Sequence, residues 1–372
     1  MPDRDQLLRS ATRLHDHLKR SFLREGLLEG PDAGVRYNLR AGRFLKSALD
    51  FLPWRDRYVF MQTQGYWILS NWLLGDITGD EEYRRLAVEA AEAVRRLQTP
   101  EGGWLYPLPE RRHLIATVEG NWAAIGLLAT YERTGREDFI KAVIRWHDFL
   151  VNRIGFQSHS QGEAINYFDR PRGKVPNNSV EAAWFFLRLW KAAGNEKYRA
   201  HVPGMMRFLA DVQLPSGELP YVVESPYERG REHYLCFQYN AFQFMKLAWS
   251  ARLDPQCGAS NLLPALAAFL KRGVAESGAS AADCFRSRPE VDYYTAALGA
   301  ALCEASHAGI QGARELSERC YARVLARQRK DGSFAYSEGD YGILRDGRSY
   351  PRPQAMTLFH LLLPCAGGDR NS

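Results

Sequence analysis

Gln98-Thr-Pro-Glu-Gly-Gly-Trp-Leu-Tyr106 returns twice, as Gln213-Leu-Pro-Ser-Gly-Glu-Leu-Pro-Tyr221 and as Gln328-Arg-Lys-Asp-Gly-Ser-Phe-Ala-Tyr336. Each copy opens on a Gln, with a Gly four residues on, an apolar residue six on and a Tyr eight on; the glutamines stand 115 residues apart both times. A long fixed period restricts the chain to repeat architectures, in which each unit buries its apolar face against the next. Gly102, Gly217 and Gly332 mark tight turns. Trp104, Leu219 and Phe334 are expected to point inward as plugs.

A second marker halves that period. Thr78-Gly-Asp-Glu-Glu-Tyr83, Thr134-Gly-Arg-Glu-Asp-Phe139 and Ala193-Gly-Asn-Glu-Lys-Tyr198 each follow one apolar run and precede another, their glycines 56 and 59 residues apart. The Gly closes one helix and the acids favour the start of the next. The unit is therefore a helical hairpin of roughly 57 residues, two per long period.

Helices apolar all round belong inside, and striped ones at the surface. Residues 64–74, 118–131, 180–193, 239–251, 291–306 and 353–363 read as inner helices. Residues 82–97, 138–151, 198–212, 262–275 and 313–327 read as outer ones. The amphipathic stretch 1–25 supplies the missing outer partner. The predicted fold is all-α, an (α/α)6 toroid of six helical hairpins. No linker interrupts the repeat, so residues 1–372 are expected to form one toroid domain, with 366–372 as a tail.

The charged opening Met-Pro-Asp-Arg-Asp-Gln lacks the apolar centre of a secretory signal, and no apolar run has the length of a membrane span. Cys236, Cys257, Cys284, Cys303, Cys320 and Cys365 show neither CxxC nor metal-like spacing. Buried thiols in a cytoplasmic protein are the expectation, with no metal and no cofactor. A net charge of +6 over 372 residues is too modest to indicate nucleic acid. HExxH, GxxxxGK[ST] and GxGxxG do not occur, which leaves zincin, P-loop and Rossmann chemistry without support.

Outer-to-inner connections are long and polar (98–117, 154–179, 213–238, 278–290 and 328–352), and all must emerge over one mouth of the ring. Long loops in a compact domain are usually functional. Glu119, Glu181 and Asp292 each follow a Val at the start of an inner helix, and three acids around one mouth could supply a general acid and a general base. Tyr234, Tyr293 and Tyr341, outside the repeat, suit stacking on sugar rings or proton transfer. Tyr106, Tyr221 and Tyr336, in register, read as structural. His233 joins the catalytic candidates. Arg112, Arg172, Arg288 and Arg348 are candidates for holding a carboxylate or phosphate. Trp104, His113, Asn121, Tyr167, Asn178, Tyr239, Asn240 and Gln354 complete the predicted substrate-binding set.

The Gln–Gly–aromatic repeat resembles the Gln–Trp motifs of squalene-cyclase and prenyltransferase toroids, although the Asp-x-Asp-Asp motif of those cyclases does not occur. The inner–outer alternation resembles the six-hairpin superfamily of glycosidases, polysaccharide lyases and sugar epimerases. Tyr336-Ser-Glu-Gly-Asp-Tyr, Asp346-Gly-Arg-Ser-Tyr-Pro-Arg352 and Gln238-Tyr-Asn-Ala-Phe-Gln243 are similar to toroid proteins of bacterial exopolysaccharide clusters. These resemblances imply an enzyme on an anionic, uronate-type sugar or oligosaccharide, acting by hydrolysis or by elimination or epimerisation. The alternatives are a prenyl-diphosphate-handling toroid and a non-catalytic binding toroid.

Overall fold

The computed structural model describes residues 3–34, 49, 54–340 and 344–366. Among them are twelve α-helices: α1 (Arg4–Phe22), α2 (Met61–Thr78), α3 (Glu81–Arg96), α4 (Thr117–Thr134), α5 (Glu137–Phe149), α6 (Pro176–Ala193), α7 (Val202–Val212), α8 (Cys236–Leu253), α9 (Leu263–Lys271), α10 (Asp292–His307), α11 (Ala313–Arg327) and α12 (Pro351–Leu362). The even-numbered helices form the inner ring. Each packs on the next even-numbered one, and α12 packs back on α2 to close it. The odd-numbered helices lie outside, and α1 packs against α12 as the missing outer partner. This is the (α/α)6 toroid that the alternation predicts.

Local chemistry explains the two rings. On α3 the buried positions Leu86, Ala87, Ala90, Ala91 and Val94 form one stripe. The Asp80 carboxylate accepts from the Glu82 N–H, Glu81 and Glu82 occupy the first turn, and Arg95 and Arg96 the last. Cap and charges both complement the helix dipole. On α2, by contrast, Tyr66, Trp67, Ile68, Leu69 and Trp72 are buried on every side. Between α2 and α4 the backbones come so close that a Cβ on Gly65 would run into the Trp122 carbonyl.

The repeat has one mechanical job. Gln98 donates to the Gly102 carbonyl at 2.8 Å and to that of Ala142 on α5 at 2.9 Å. Gln213 does the same to Gly217 and Leu262, and Gln328 to Gly332 and to Ser10 of α1. Each Gln thus closes its own turn and ties it to the next outer segment. Gly102, Gly217 and Gly332 have φ of 105°, 89° and 90°, and a Cβ at any of them would meet a carbonyl of the facing chain. Trp104, Leu219 and Phe334 are buried plugs as expected. Gly79, Gly135 and Gly194 end α2, α4 and α6 in the left-handed conformation, each N–H reaching back one turn.

The rim also carries strands that helical periodicity did not reveal. β1 (Leu23–Arg24) pairs with β2 (Leu27–Leu28), and β3 (Phe156–His159) with β4 (Gly162–Ile165). β5 (Glu290–Val291), β6 (Ser337–Asp340) and β7 (Leu344–Asp346) form an antiparallel sheet with Val291 opposite Ser337 and Ser337 opposite Asp346. No helix among the described residues is long and apolar enough to cross a membrane. Of the predicted tail 366–372, Ala366 is described, its N–H bonded to the Leu362 carbonyl, and 367–372 lie outside the described residues.

Candidate active site

The long connections and the first turns of the inner helices enclose a cavity of about 730 Å³ at the mouth of the ring. Nine predicted site residues line it: His113, Glu119, Tyr167, Arg172, Asn178, Glu181, Tyr234, Tyr239 and Tyr293.

Glu119 sits on the first turn of α4, 2 % exposed. Its Oε2 accepts from the Gln62 N–H at 2.9 Å, at the start of α2. Burial pushes its pKa up to about 7, against the opposing pull of Arg352 and of the backbone N–H groups of Gln62 and Met61. Arg352 is itself held by Asp32 through two hydrogen bonds of 2.6 and 2.8 Å and lies over the Phe60 ring. A carboxyl so placed exchanges a proton readily at neutral pH.

Glu181 is held differently. Its Oε2 accepts from Lys246 Nζ of α8 at 2.6 Å and from Trp122 Nε1 at 3.1 Å. Burial raises its pKa and Lys246 opposes the rise. Lys246 also lies 5.1 Å from the Trp122 ring centroid. Among the described residues Glu181 Oε1 has no hydrogen-bond partner.

Neither end of the Asn178 amide has a partner among the described residues, nor has Gln238 Oε1, although Asn178 is 1 % and Gln238 4 % exposed. Both line the cavity. Unmatched buried polar atoms are costly and rare in folded proteins, and in a cavity wall they are available to a polar ligand.

An aromatic wall faces them. The Tyr234 ring lies 4.6 Å from that of Tyr221, and Tyr221 5.2 Å from Tyr239. Arg231 stacks on Tyr234 at 4.1 Å. Burial raises the pKa values of Tyr106 (to about 12), Tyr167 and Tyr239, so these phenols keep their protons and act as donors. At the rim Arg111, Arg170 and Arg172 are exposed and form no salt bridge among the described residues. Glu110 and Glu228 line the mouth as well; Glu228 accepts from the Gly173 N–H at 3.0 Å.

The remaining predicted residues go elsewhere. Asp292 pairs with Arg327 of α11 in a network with Glu290 and Arg323, and it does not line the cavity. The three acids therefore do not surround one mouth. Burial also raises Asp292, to about 6. Trp104 is a core plug whose indole donates to the Val94 carbonyl. Asn121 accepts from Trp146 of the outer ring. Asn240 and Gln354 bond the backbone of the plugs Leu219 and Phe334, as Gln64 bonds Leu28. Arg112 is exposed outside the lining. Arg288 packs on Gly339 of β6, and Arg348 donates to the Leu49 carbonyl. His233 faces Glu218 at 2.9 Å. Tyr341 lies outside the described residues.

Lys246, Gln238 and Arg352 are cavity residues absent from the predicted set. Tyr106, Tyr221 and Tyr336, expected to be purely structural, also line the cavity. Lys246 sits mid-helix among Phe242, Phe244 and Met245, and a lone Lys in an apolar inner helix is the signal that could have found it. Cys284 is exposed, which corrects the expectation that all thiols are buried.

No family model matches the chain, and no curated protein matches it. Solved structures do share its fold. A sugar epimerase from a ruminal bacterium is 12% identical with a TM-score of 0.68, over 82% of this chain and 87% of that one. The GH76A α-1,6-mannanase of a Salegentibacter species is 13% identical with a TM-score of 0.70, over 96% and 98%. A family 88 glycosyl hydrolase from Bacteroides vulgatus is 10% identical with a TM-score of 0.65, over 95% and 99%. The fold is thus that of the glycosidase, lyase and epimerase toroids the alternation resembles.

Proposed function

We propose that this chain is a carbohydrate-active enzyme that moves a proton to or from an anionic, uronate-type sugar or oligosaccharide. The observation that carries the reading is the meeting, in one cavity, of a carboxyl held near pKa 7 with the Asn178 amide and Gln238 Oε1, which have no partner among the described residues. Glu119 is the proton-transfer group. Asn178 and Gln238 take the sugar hydroxyls, and Tyr234 and Tyr239 offer ring faces to the pyranose. Arg111, Arg170 and Arg172 meet the acid group at the mouth, where guanidinium binds carboxylate in two-point fashion. Lys246 holds Glu181 in place below.

The activities of the structural neighbours, an epimerase and two glycoside hydrolases, support this class. A prenyl-diphosphate toroid needs a dry apolar interior, and Glu119, Glu181, Lys246, Asn178 and Gln238 weigh against it. Glu119 could protonate a glycosidic oxygen, or remove the proton beside a uronate carboxyl while an arginine neutralises that carboxyl.

A panel of uronate-containing oligosaccharides tests the proposal. Reducing ends, ultraviolet absorbance of an unsaturated product and deuterium uptake from solvent are followed together. Reducing ends alone identify hydrolysis, reducing ends with absorbance identify elimination, and deuterium alone identifies epimerisation. Silence in all three signals across the panel overturns the reading.

A further inference from the structure

Glu218, His233, Cys236 and Cys284 bring four ligand atoms within 4.8 Å of one another. They come from three separated pieces of chain: the second repeat turn, the segment leading into α8, and the connection before α10. Glu218 Oε2 lies 2.9 Å from His233 Nδ1 and 3.6 Å from Cys284 Sγ. The cluster stands beside the cavity, since Tyr221, Tyr234 and Leu235 line the mouth whereas these four side chains do not.

Three observations set the cluster apart from ordinary packing. First, Glu218 occupies the slot that holds Gly103 and Ser333 in the other repeat copies, yet it is 1 % exposed. Among the described residues no Lys or Arg pairs with it; its side-chain partners are the His233 imidazole and the Cys284 thiol. A carboxylate taken out of water without a cation is strongly disfavoured. Second, Cys236 stands four residues before Asn240, where the equivalent positions before Gln64 and Gln354 hold Phe60 and Tyr350. A repeat that carries aromatics there elsewhere carries a thiol here. Third, Leu235, between His233 and Cys236, has φ 45° and ψ 45°. A left-handed Leu is strained by about 1 kcal/mol, and this twist turns His233 and Cys236 toward the same carboxylate.

We propose that these four side chains hold one divalent ion of the zinc class. Two thiolates, an imidazole nitrogen and a carboxylate oxygen form a tetrahedral donor set suited to zinc. Zinc bonds of about 2.0–2.3 Å place neighbouring ligand atoms roughly 3.3–3.8 Å apart, close to the spacing already present. On binding, each thiol yields its proton to solvent and the ion supplies the charge that Glu218 lacks. The ion joins the Gln213–Tyr221 turn, the start of α8 and the connection before α10, and so fixes Tyr221 and Tyr234 at the cavity mouth. The role is structural, and it holds whatever reaction the cavity performs.

The full-length protein is kept reduced, stripped with a chelator and titrated with Co²⁺ as the probe, followed by Zn²⁺. The expected result is one ion per chain, with a thiolate-to-cobalt charge-transfer band and tetrahedral visible bands that Zn²⁺ abolishes. Zinc should raise the melting temperature and the chelator reverse the rise. Cys284→Ser and His233→Ala should lose the band and the zinc-dependent melting shift, and Cys257→Ser should keep both. Cys284 is exposed, so Cys284→Ser should retain the helical circular dichroism, which shows that lost binding is not lost folding. A reduced, folded protein that gives no charge-transfer band overturns the proposal. So does a band that survives both Cys284→Ser and His233→Ala.

Discussion

Glu119 caps its neighbour's helix rather than its own: its Oε2 accepts from the Gln62 N–H of α2 at 2.9 Å, across the joint between two inner helices. The first turn of α2 has no side-chain cap of its own, since Phe60 is the N-cap. One carboxyl therefore completes a helix terminus and opens on the cavity. Burial favours the acid, Arg352 and the cap favour the carboxylate, and the balance leaves the pKa at about 7.

Glu119→Gln should lower turnover about 10²–10⁴-fold, the usual worth of a positioned acid or base. It should leave the fold intact, because the amide oxygen still accepts from Gln62. Glu119→Ala should lose the same activity and, in addition, about 1 kcal/mol of stability with the cap. Turnover on the responsive sugar and urea unfolding of both variants measure this. Full activity in Glu119→Gln rules out the assigned role.

The Glu119 share of stability should fall as pH rises from about 4.5 to about 7, whereas burial lowers the pKa values of His17, His147 and His360, which contribute a slope of the opposite sign below their unfolded value. The folded protein holds the Glu119 proton up to about 7 and the unfolded chain releases it near 4.5. In that window Glu119 binds more protons in the native state, which makes its own contribution to the slope of unfolding free energy with pH negative. Asp292, raised to about 6 by burial, adds in the same direction. The Glu119 share is at most about 3 kcal/mol, present in full below its unfolded pKa and lost above its folded one. Glu119→Gln should flatten that share of the slope in urea titrations across the range.

Lys246→Met should destabilise the chain by about 3–5 kcal/mol, because it strands the Glu181 carboxylate without its partner. Glu181→Gln combined with Lys246→Met should recover much of that loss. A double-mutant cycle by chemical denaturation gives the coupling, and additive effects contradict the buried pair.

Gly79→Ala and Gly217→Ala separate conformational strain from collision. Gly79 has φ 75° with open space around the added methyl, whereas at Gly217 the methyl meets the Ala265 carbonyl. Gly79→Ala should cost about 1 kcal/mol. Gly217→Ala should cost a further 1–3 kcal/mol or so from overpacking. Equal losses in thermal melts would mean the close approach at Gly217 is relieved freely.

Arg111→Glu and Arg172→Glu should raise KM for a uronate substrate about tenfold each and leave kcat nearly unchanged, since they act on the anionic group rather than the reacting atoms. A neutral sugar analogue should show no such change.

The sequence by itself determined the ring. Helix period, capping glycines and the Gln–Gly–aromatic turn are short-range signals, each written within a few residues, and a repeat whose units bury their faces on one another leaves little topological choice. The six inner and six outer helices follow from which segments are apolar all round. Only the tertiary structure decided which residues meet at the mouth. Val118-Glu119, Val180-Glu181 and Val291-Asp292 enter their helices alike, yet Arg327 captures Asp292, Lys246 captures Glu181, and Glu119 alone caps the helix next door. Likewise Cys236 and Cys284 lie far apart in the chain and come together only because α8 and the connection before α10 are neighbours on the rim. Such outcomes depend on the partner that closure of the ring brings within hydrogen-bonding reach, and no local periodicity encodes that distance.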